Sequence, residues 1–237
     1  MFKTCYAGLH PGDGEEMMEP KTTKSALTRA RIQDAALTLF SREGFHRTTM
    51  RAIAAEAGVS PGNAYYHFAS KEDLVQELAR GLIDEQLRAA RPLLLSGNNL
   101  QDNIRIVLDA AVDVVTPFHD FGSVLIRAAM NPDTAATADV TRAKEFSLWR
   151  QAVAASLPRP PLAIRGDLPE LLWLVQRGLI IFWAYDSSPD TARSRRLAAN
   201  AAALMARLAV LSRLPVVRHI VDDVIGVVRN VQRDETT

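Results

Sequence analysis

The stretch Ala57-Gly58-Val59-Ser60-Pro61-Gly62-Asn63-Ala64-Tyr65-Tyr66-His67-Phe68 decides how this chain is read. Gly58 can take the left-handed conformation that a tight turn after a helix requires. Ser60 followed by Pro61 is the pattern of a helix start, a capping hydroxyl and then a residue whose missing N–H costs nothing at the first helical position. The short helix opened there carries no acidic residue and displays Asn63, Tyr65, Tyr66 and His67. Just upstream, Thr48-Thr49-Met50-Arg51-Ala52-Ile53-Ala54 reads as another short helix, with Ala54 small where two helices cross closely. Ile53, Val59 and Phe68 supply the apolar wedge between them. Two short helices joined by Gly58-Val59-Ser60 make a helix-turn-helix; an ordinary α-hairpin is the plain alternative.

Outward from this segment the pattern is helical throughout. Apolar residues recur at three and four, as in Ile32, Ala36, Leu39, Phe40, then Ile104, Val107, Leu108, Val112, and later Val217, Ile220, Val224, Val228, Val231. Hairpin signals are absent. The prolines fall at helix ends, where a residue without an N–H donor is tolerated. The spacing predicts helices over 24–43, 49–57, 61–67, 71–91, 99–116, 121–130, 134–156, 169–186, 190–213 and 216–231, an all-α fold, with Leu157 to Leu168 as a long loop. Ser70 with Asp73 approximates a capping box, and Ser188-Pro189 repeats the Ser60-Pro61 start.

With Ser70-Lys71-Glu72-Asp73-Leu74 following, the segment closely resembles the amino-terminal DNA-binding domain of the TetR family of bacterial transcriptional regulators over about residues 25–75. Gly44-Phe45, Thr49, Ile53-Ala54, Gly58-Val59-Ser60, Tyr65, Phe68 and Lys71 stand where that family's pattern places such residues. Asn63 and Ala64 depart from it, standing where the family more often has Thr or Ser and then a larger apolar residue. The resemblance implies a homodimeric regulator, usually a repressor, whose recognition helices enter successive major grooves of a palindromic operator. It also implies a carboxy-terminal domain that binds a small molecule and thereby releases the DNA. The division expected is an arm over 1–20, disordered and possessing no assigned role, a helix-turn-helix domain over 21–75 and a helical effector-binding and dimerisation domain over 76–237.

Charge supports the DNA half independently. The whole chain has 28 basic and 27 acidic residues, a formal charge of +1, which excludes bulk electrostatic binding of nucleic acid. Residues 21–71 hold eight basic and three acidic residues, a local +5, while the rest of the chain is −4. Within the segment, Thr49 has a cap hydroxyl suited to a phosphate oxygen, and Arg51 can reach phosphate or a base edge. Asn63 and Tyr66 are candidates for base contacts, an amide pairing with adenine and a ring meeting thymine methyls. Tyr65, His67 and Lys71 are candidates for phosphate; Phe68 is read as core.

Beyond Pro92 the helices are rich in large apolar residues. The helix over 169–186 is apolar around most of its circumference, interrupted by Gln176, Arg177 and Gly178, and so needs burial on two sides. Leu197, Ala201, Leu204, Leu208 and Leu211 form a seam at four-three spacing beside small Ala198, Ala202 and Ala209, the expected dimer interface. Candidates for a ligand pocket are Phe118, Arg127, Met130, Phe146, Trp149, Arg150, Trp173 and Gln176, aromatic walls with a few polar groups, suited to a mostly apolar effector.

Other classes find little support. The five histidines show no metal-binding spacing, a single Cys5 allows neither a cysteine-rich zinc site nor an internal disulfide, and no phosphate-binding Gly-rich loop or Gly-x-Ser-x-Gly is present. No catalytic residue, metal ligand or cofactor is therefore assigned. An all-α enzyme and a helical ligand-binding protein without operator function are the alternatives. The longest apolar run, Leu179 to Tyr185, is far short of a membrane span, and the start lacks an apolar signal region, so the expected location is the cytoplasm.

Overall fold

The computed structural model describes residues 24–95, 97–129 and 135–212. The expected arm, the helix expected over 216–231 and Met130 lie outside the described residues. Among the described residues there are ten α-helices and no strand: α1 (Lys24–Glu43), α2 (Met50–Glu56), α3 (Pro61–His67), α4 (Lys71–Ala90), α5 (Leu100–Val115), α6 (Gly122–Ala129), α7 (Ala135–Ala155), α8 (Leu162–Arg165), α9 (Leu168–Trp183) and α10 (Ala192–Leu211). No described helix is long and apolar enough to cross a membrane.

Helices α1 to α3 form a small head. One face of α1 buries Ile32, Ala36, Leu39 and Phe40 against Ile53 and Ala54 of α2, Ala64 of α3, and Phe68. The turn between α2 and α3 follows from Gly58, which has φ +65°. There its N–H donates to the Ala55 carbonyl (3.1 Å) and the Val59 N–H to the Ala54 carbonyl (2.9 Å), closing α2 with the paired bonds of a left-handed glycine cap. Ser60 Oγ then accepts the Asn63 N–H at 3.2 Å and opens α3.

The body is a bundle in which α5 packs between α4 and α10, and α7 packs on α9. Ser194, Ala198, Ala202 and Ala209 are the fully buried residues of α10, and their small side chains let α10 lie close on α5. Two attachments between head and body stand out among the described residues. Helix α4 runs from one into the other, and Phe121, just before α6, sets its ring edge-on to Phe40 of α1 at 5.6 Å. Gly122 follows because a Cβ there would come within 3.1 Å of the Trp183 ring.

Three sequence expectations need correction. Helix α9 stops at Trp183 rather than 186, and Tyr185 lies beyond it, 74% exposed. The expected loop over 157–168 contains the single turn α8, which buries Ile164. Ser188-Pro189 opens only a 3-10 turn over Pro189–Thr191, within which Asp190 and Thr191 both take φ 52°, and α10 starts at Ala192. The amides opening α10 are satisfied from upstream: Ser188 Oγ accepts the Arg193 N–H at 3.0 Å, and the buried Asp186 carboxylate accepts the Ser194 N–H at 2.8 Å. Asp186 also accepts the Ser194 hydroxyl and the Ser188 amide and hydroxyl. Burial alone would raise its pKa, yet these bonds outweigh burial and hold the carboxyl well below the ordinary range.

Candidate nucleic-acid interface and ligand cavity

Helix α3 is anchored by Ala64 and by Phe68 at its end, which leaves the opposite side free. Asn63, Tyr65 and Tyr66 are exposed, Tyr66 to 82%, and His67 is half-buried with its ring edge-on to Tyr66. Asn63 and Tyr66 are three residues apart and share one face. Thr49 caps α2 by accepting the Ala52 N–H at 3.2 Å, which leaves the hydroxyl proton to donate outward. Arg51 projects from the first turn of α2, exposed and without an ion pair among the described residues.

Other basic residues are already engaged. Lys71, expected at a phosphate, is engaged within the chain: its ammonium donates to the carbonyls of Phe45 (2.8 Å), Thr48 (3.1 Å) and His46 (3.4 Å) and lies 4.3 Å from the Phe45 ring centre. Three N–H donors and three carbonyls leave no directed donor for DNA. Arg29 lies over Phe68 at 4.3 Å, donates to the His67 carbonyl at 3.0 Å and pairs with Glu77 at 3.4 Å, clamping the end of α3. Arg31 donates to the Ala57 carbonyl, Arg47 to that of Glu43, and Arg42 pairs with Glu43 and Glu56. The structural work of Arg29 and Arg31 had no signal in the sequence, because their partners are main-chain groups 38 and 26 residues away.

In the body a cavity of about 420 Å³ opens between α4, α5, α6, α7 and α9. Leu82, Ile83, Val114, Leu125 and Ile180 make its apolar wall; Gln86, Arg142, Glu145, Trp173, Gln176 and Arg177 make the polar side. Glu145, only 2% exposed, pairs with Arg177 and accepts the Trp173 Nε1–H at 2.9 Å and the Gln176 amide at 3.4 Å. Gln176 also accepts the Trp149 Nε1–H (3.0 Å) and donates to Gln86 (3.1 Å), which in turn donates to the Val107 carbonyl (3.1 Å). A buried carboxylate survives only with such partners.

Of the pocket residues expected from sequence, Trp173 and Gln176 line this cavity. Trp149 does not: it is fully buried behind Gln176. Phe146 stacks on Trp173 at 5.5 Å without lining the cavity, and Arg150 is exposed on α7. Phe118 lines a separate cleft between α1 and α4, and Arg127 another beside Phe45 and Lys71. Sequence reasoning missed Gln86, Arg142, Glu145 and Arg177 as wall residues. The break that Gln176 and Arg177 make in an apolar helix was the available clue; Glu145 had none.

The seam expected on α10 faces outward. Leu197, Leu204 (57%) and Leu211 are exposed and Ala201 and Leu208 half-buried; Ile181, Phe182 and Tyr185, from α9 and its end, are exposed as well. Ala201 packs partly against the core, while Leu197, Leu204 and Leu211 stay at the surface.

Residues 32–78 match the family described as bacterial regulatory proteins, tetR family, and residues 103–226 match the tetracyclin repressor-like carboxy-terminal domain. The transcriptional repressor KstR2 of Rhodococcus jostii is 33% identical over 91 residues, covering 38% of this chain and 45% of that protein. The transcriptional regulator UidR of Escherichia coli K12 is 42% identical over 73 residues, 31% of this chain and 36% of that protein. The matches thus span less than half the length of these relatives, which are named as regulators and not as enzymes. Among solved structures, a TetR regulator from Nitrosomonas europaea aligns with TM-score 0.58 and 16% identity over 76% of this chain and 98% of its own. FadR of Bacillus subtilis, solved with stearoyl-CoA, aligns with TM-score 0.56 and 14% identity over 71% of this chain and 95% of its own. These two likenesses are of fold. The matches to both halves, in order and over more than half its length, establish that the chain belongs to the TetR family of bacterial regulatory proteins.

Proposed function

We propose that the protein is a transcriptional repressor that binds a palindromic DNA operator as a homodimer in the cytoplasm and is released by a small, mostly apolar effector. The observation that carries this reading is the free face of α3, where Asn63, Tyr65 and Tyr66 stand exposed on a helix whose other side is locked into the head. Two such helices entering successive major grooves require half-sites about 34–36 Å apart or a multiple of that. The outward seam of α10 with Ile181 and Phe182 of α9 supplies an apolar surface for pairing with a second copy. The repressor name of KstR2 supports the outcome, and the stearoyl-CoA in complex with FadR supports the use of a small-molecule ligand.

Coupling runs through α4. Its first residue, Lys71, holds the loop over Phe45 to Thr48, and its later residues Leu82, Ile83 and Gln86 line the cavity. A ligand that favours one placement of these wall residues shifts the whole helix, because a helix moves as a rigid element. Selection of bound duplexes from a random pool tests the reading: recovery of a two-fold symmetric site supports it, and recovery of no preferred sequence overturns it.

A further inference from the structure

The cavity wall carries an uncompensated positive charge. Two guanidinium groups, Arg142 and Arg177, face it with one carboxylate, Glu145. That carboxylate is fully committed, to Arg177, Trp173 and Gln176. Arg142 has no carboxylate partner among the described residues. It lies instead over the rings of Trp173 and Phe146, 4.9 and 5.5 Å from their centres. Aromatic faces hold a guanidinium in position without neutralising it, and its planar N–H fork stays free to accept a carboxylate. Arg177 adds a spare donor, since its Nε is buried and has no hydrogen-bond partner.

We propose, on the basis of the ligand-responsive reading above, that the effector is a free carboxylic acid with an aliphatic body. Its carboxylate pairs with Arg142 over the Trp173 face, and its chain lies among Leu82, Ile83, Val114, Leu125 and Ile180. A neutral molecule would leave Arg142 uncompensated as the wall desolvates, and a cation would add a third positive group beside two. The volume of about 420 Å³ falls within the range of small-ligand sites and suits a medium-length acid held whole.

The test titrates the full-length protein calorimetrically with decanoate, decan-1-ol and decylamine, which share one chain and differ in head charge. Decanoate is expected to bind at least about tenfold more tightly than the alcohol, with the amine weakest. Arg142→Gln should bring acid and alcohol within about twofold of one another, and Arg142→Lys should keep part of the preference. Equal or tighter binding of the alcohol or amine, no binding of decanoate, or an undiminished preference in Arg142→Gln overturns the proposal. So does tight binding of decanoyl-CoA with none of the free acid. The unsubstituted protein alone decides the head-group question if the variants fail to fold. Release from the selected duplex is read separately. Decanoate that binds yet leaves the protein on DNA overturns the effector reading and not the ligand class; release by the alcohol alone overturns the ligand class and not the effector reading.

Discussion

Lys71, the first residue of α4, places its ammonium 4.3 Å from the centre of the Phe45 ring and 2.8 Å from the Phe45 carbonyl, fastening α4 to the loop that follows α1. Lys71→Met keeps the length of the side chain and removes the donors. It should cost about 1–3 kcal/mol of stability, the range for hydrogen bonds to a charged group, measured by urea unfolding. DNA affinity should fall for every sequence, while the slope of log affinity against log salt stays as it was. A phosphate-binding lysine would instead lower that slope by about one, so a changed slope would show that Lys71 reaches the DNA.

Asn63 stands exposed in the first turn of α3, with Ala64 buried behind it. Asn63→Ala should relax base preference at one position of each half-site by about 1–3 kcal/mol, read by competition among single-base operator variants. An equal loss on all variants would mean that Asn63 contacts only the backbone of the DNA.

Leu204 lies at the middle of the outward seam of α10, 57% exposed. Leu204→Glu puts a charge where two copies are proposed to meet and should yield monomers by analytical ultracentrifugation, with operator affinity lost alongside. Dimers that persist unchanged would move the interface elsewhere.

The Asp186 carboxylate, buried and held by Ser188 and Ser194, titrates below its unfolded value of about 3.9. A carboxyl whose folded pKa is depressed contributes stability that is complete above the unfolded value and is lost as pH falls below it. Unfolding free energy should therefore drop more steeply below about pH 4 in the native protein than in Asp186→Asn. The variant should be less stable by about 1–3 kcal/mol near neutral pH, because one amide cannot accept the N–H and O–H donors on both sides. Parallel pH profiles for the two proteins would contradict this.

A Cβ at Gly122 would press on the Trp183 ring at 3.1 and 3.2 Å, with the Ala184 main chain behind. Gly122→Ala should destabilise by about 1–3 kcal/mol, as overpacking does. Trp183→Phe removes the crowded ring atoms, so the double variant should be more stable than the sum of the single effects allows, measured as a double-mutant cycle.

The head was legible because its signals are local. Ser60-Pro61, Gly58 and the capping Ser70 each specify a turn or a helix end within a few residues, and the structure places each in that role. The start of α10 was not, because Ser188-Pro189 looks the same as Ser60-Pro61 while the left-handed pair Asp190 and Thr191 depends on a buried Asp186. The cavity was legible only in part. Trp173 and Gln176 lie on a helix whose apolar pattern they visibly interrupt or flank, whereas Glu145 and Arg142 gain their meaning from α9, reached across the bundle. Charge counting could not show that Lys71, counted toward DNA, is bonded to main-chain carbonyls, since those partners lie more than twenty residues away.

Two attachments between head and body, Lys71 at the start of α4 and Phe40 against Phe121, have a mechanical consequence. A rigid piece pinned at two places retains a single freedom, a swing about the line through both pins. Strain arising in the body would reach α3 mainly along that swing, the course these two attachments hinder least. In the proposed dimer, such a swing would turn each α3 as it changes the span between the two heads.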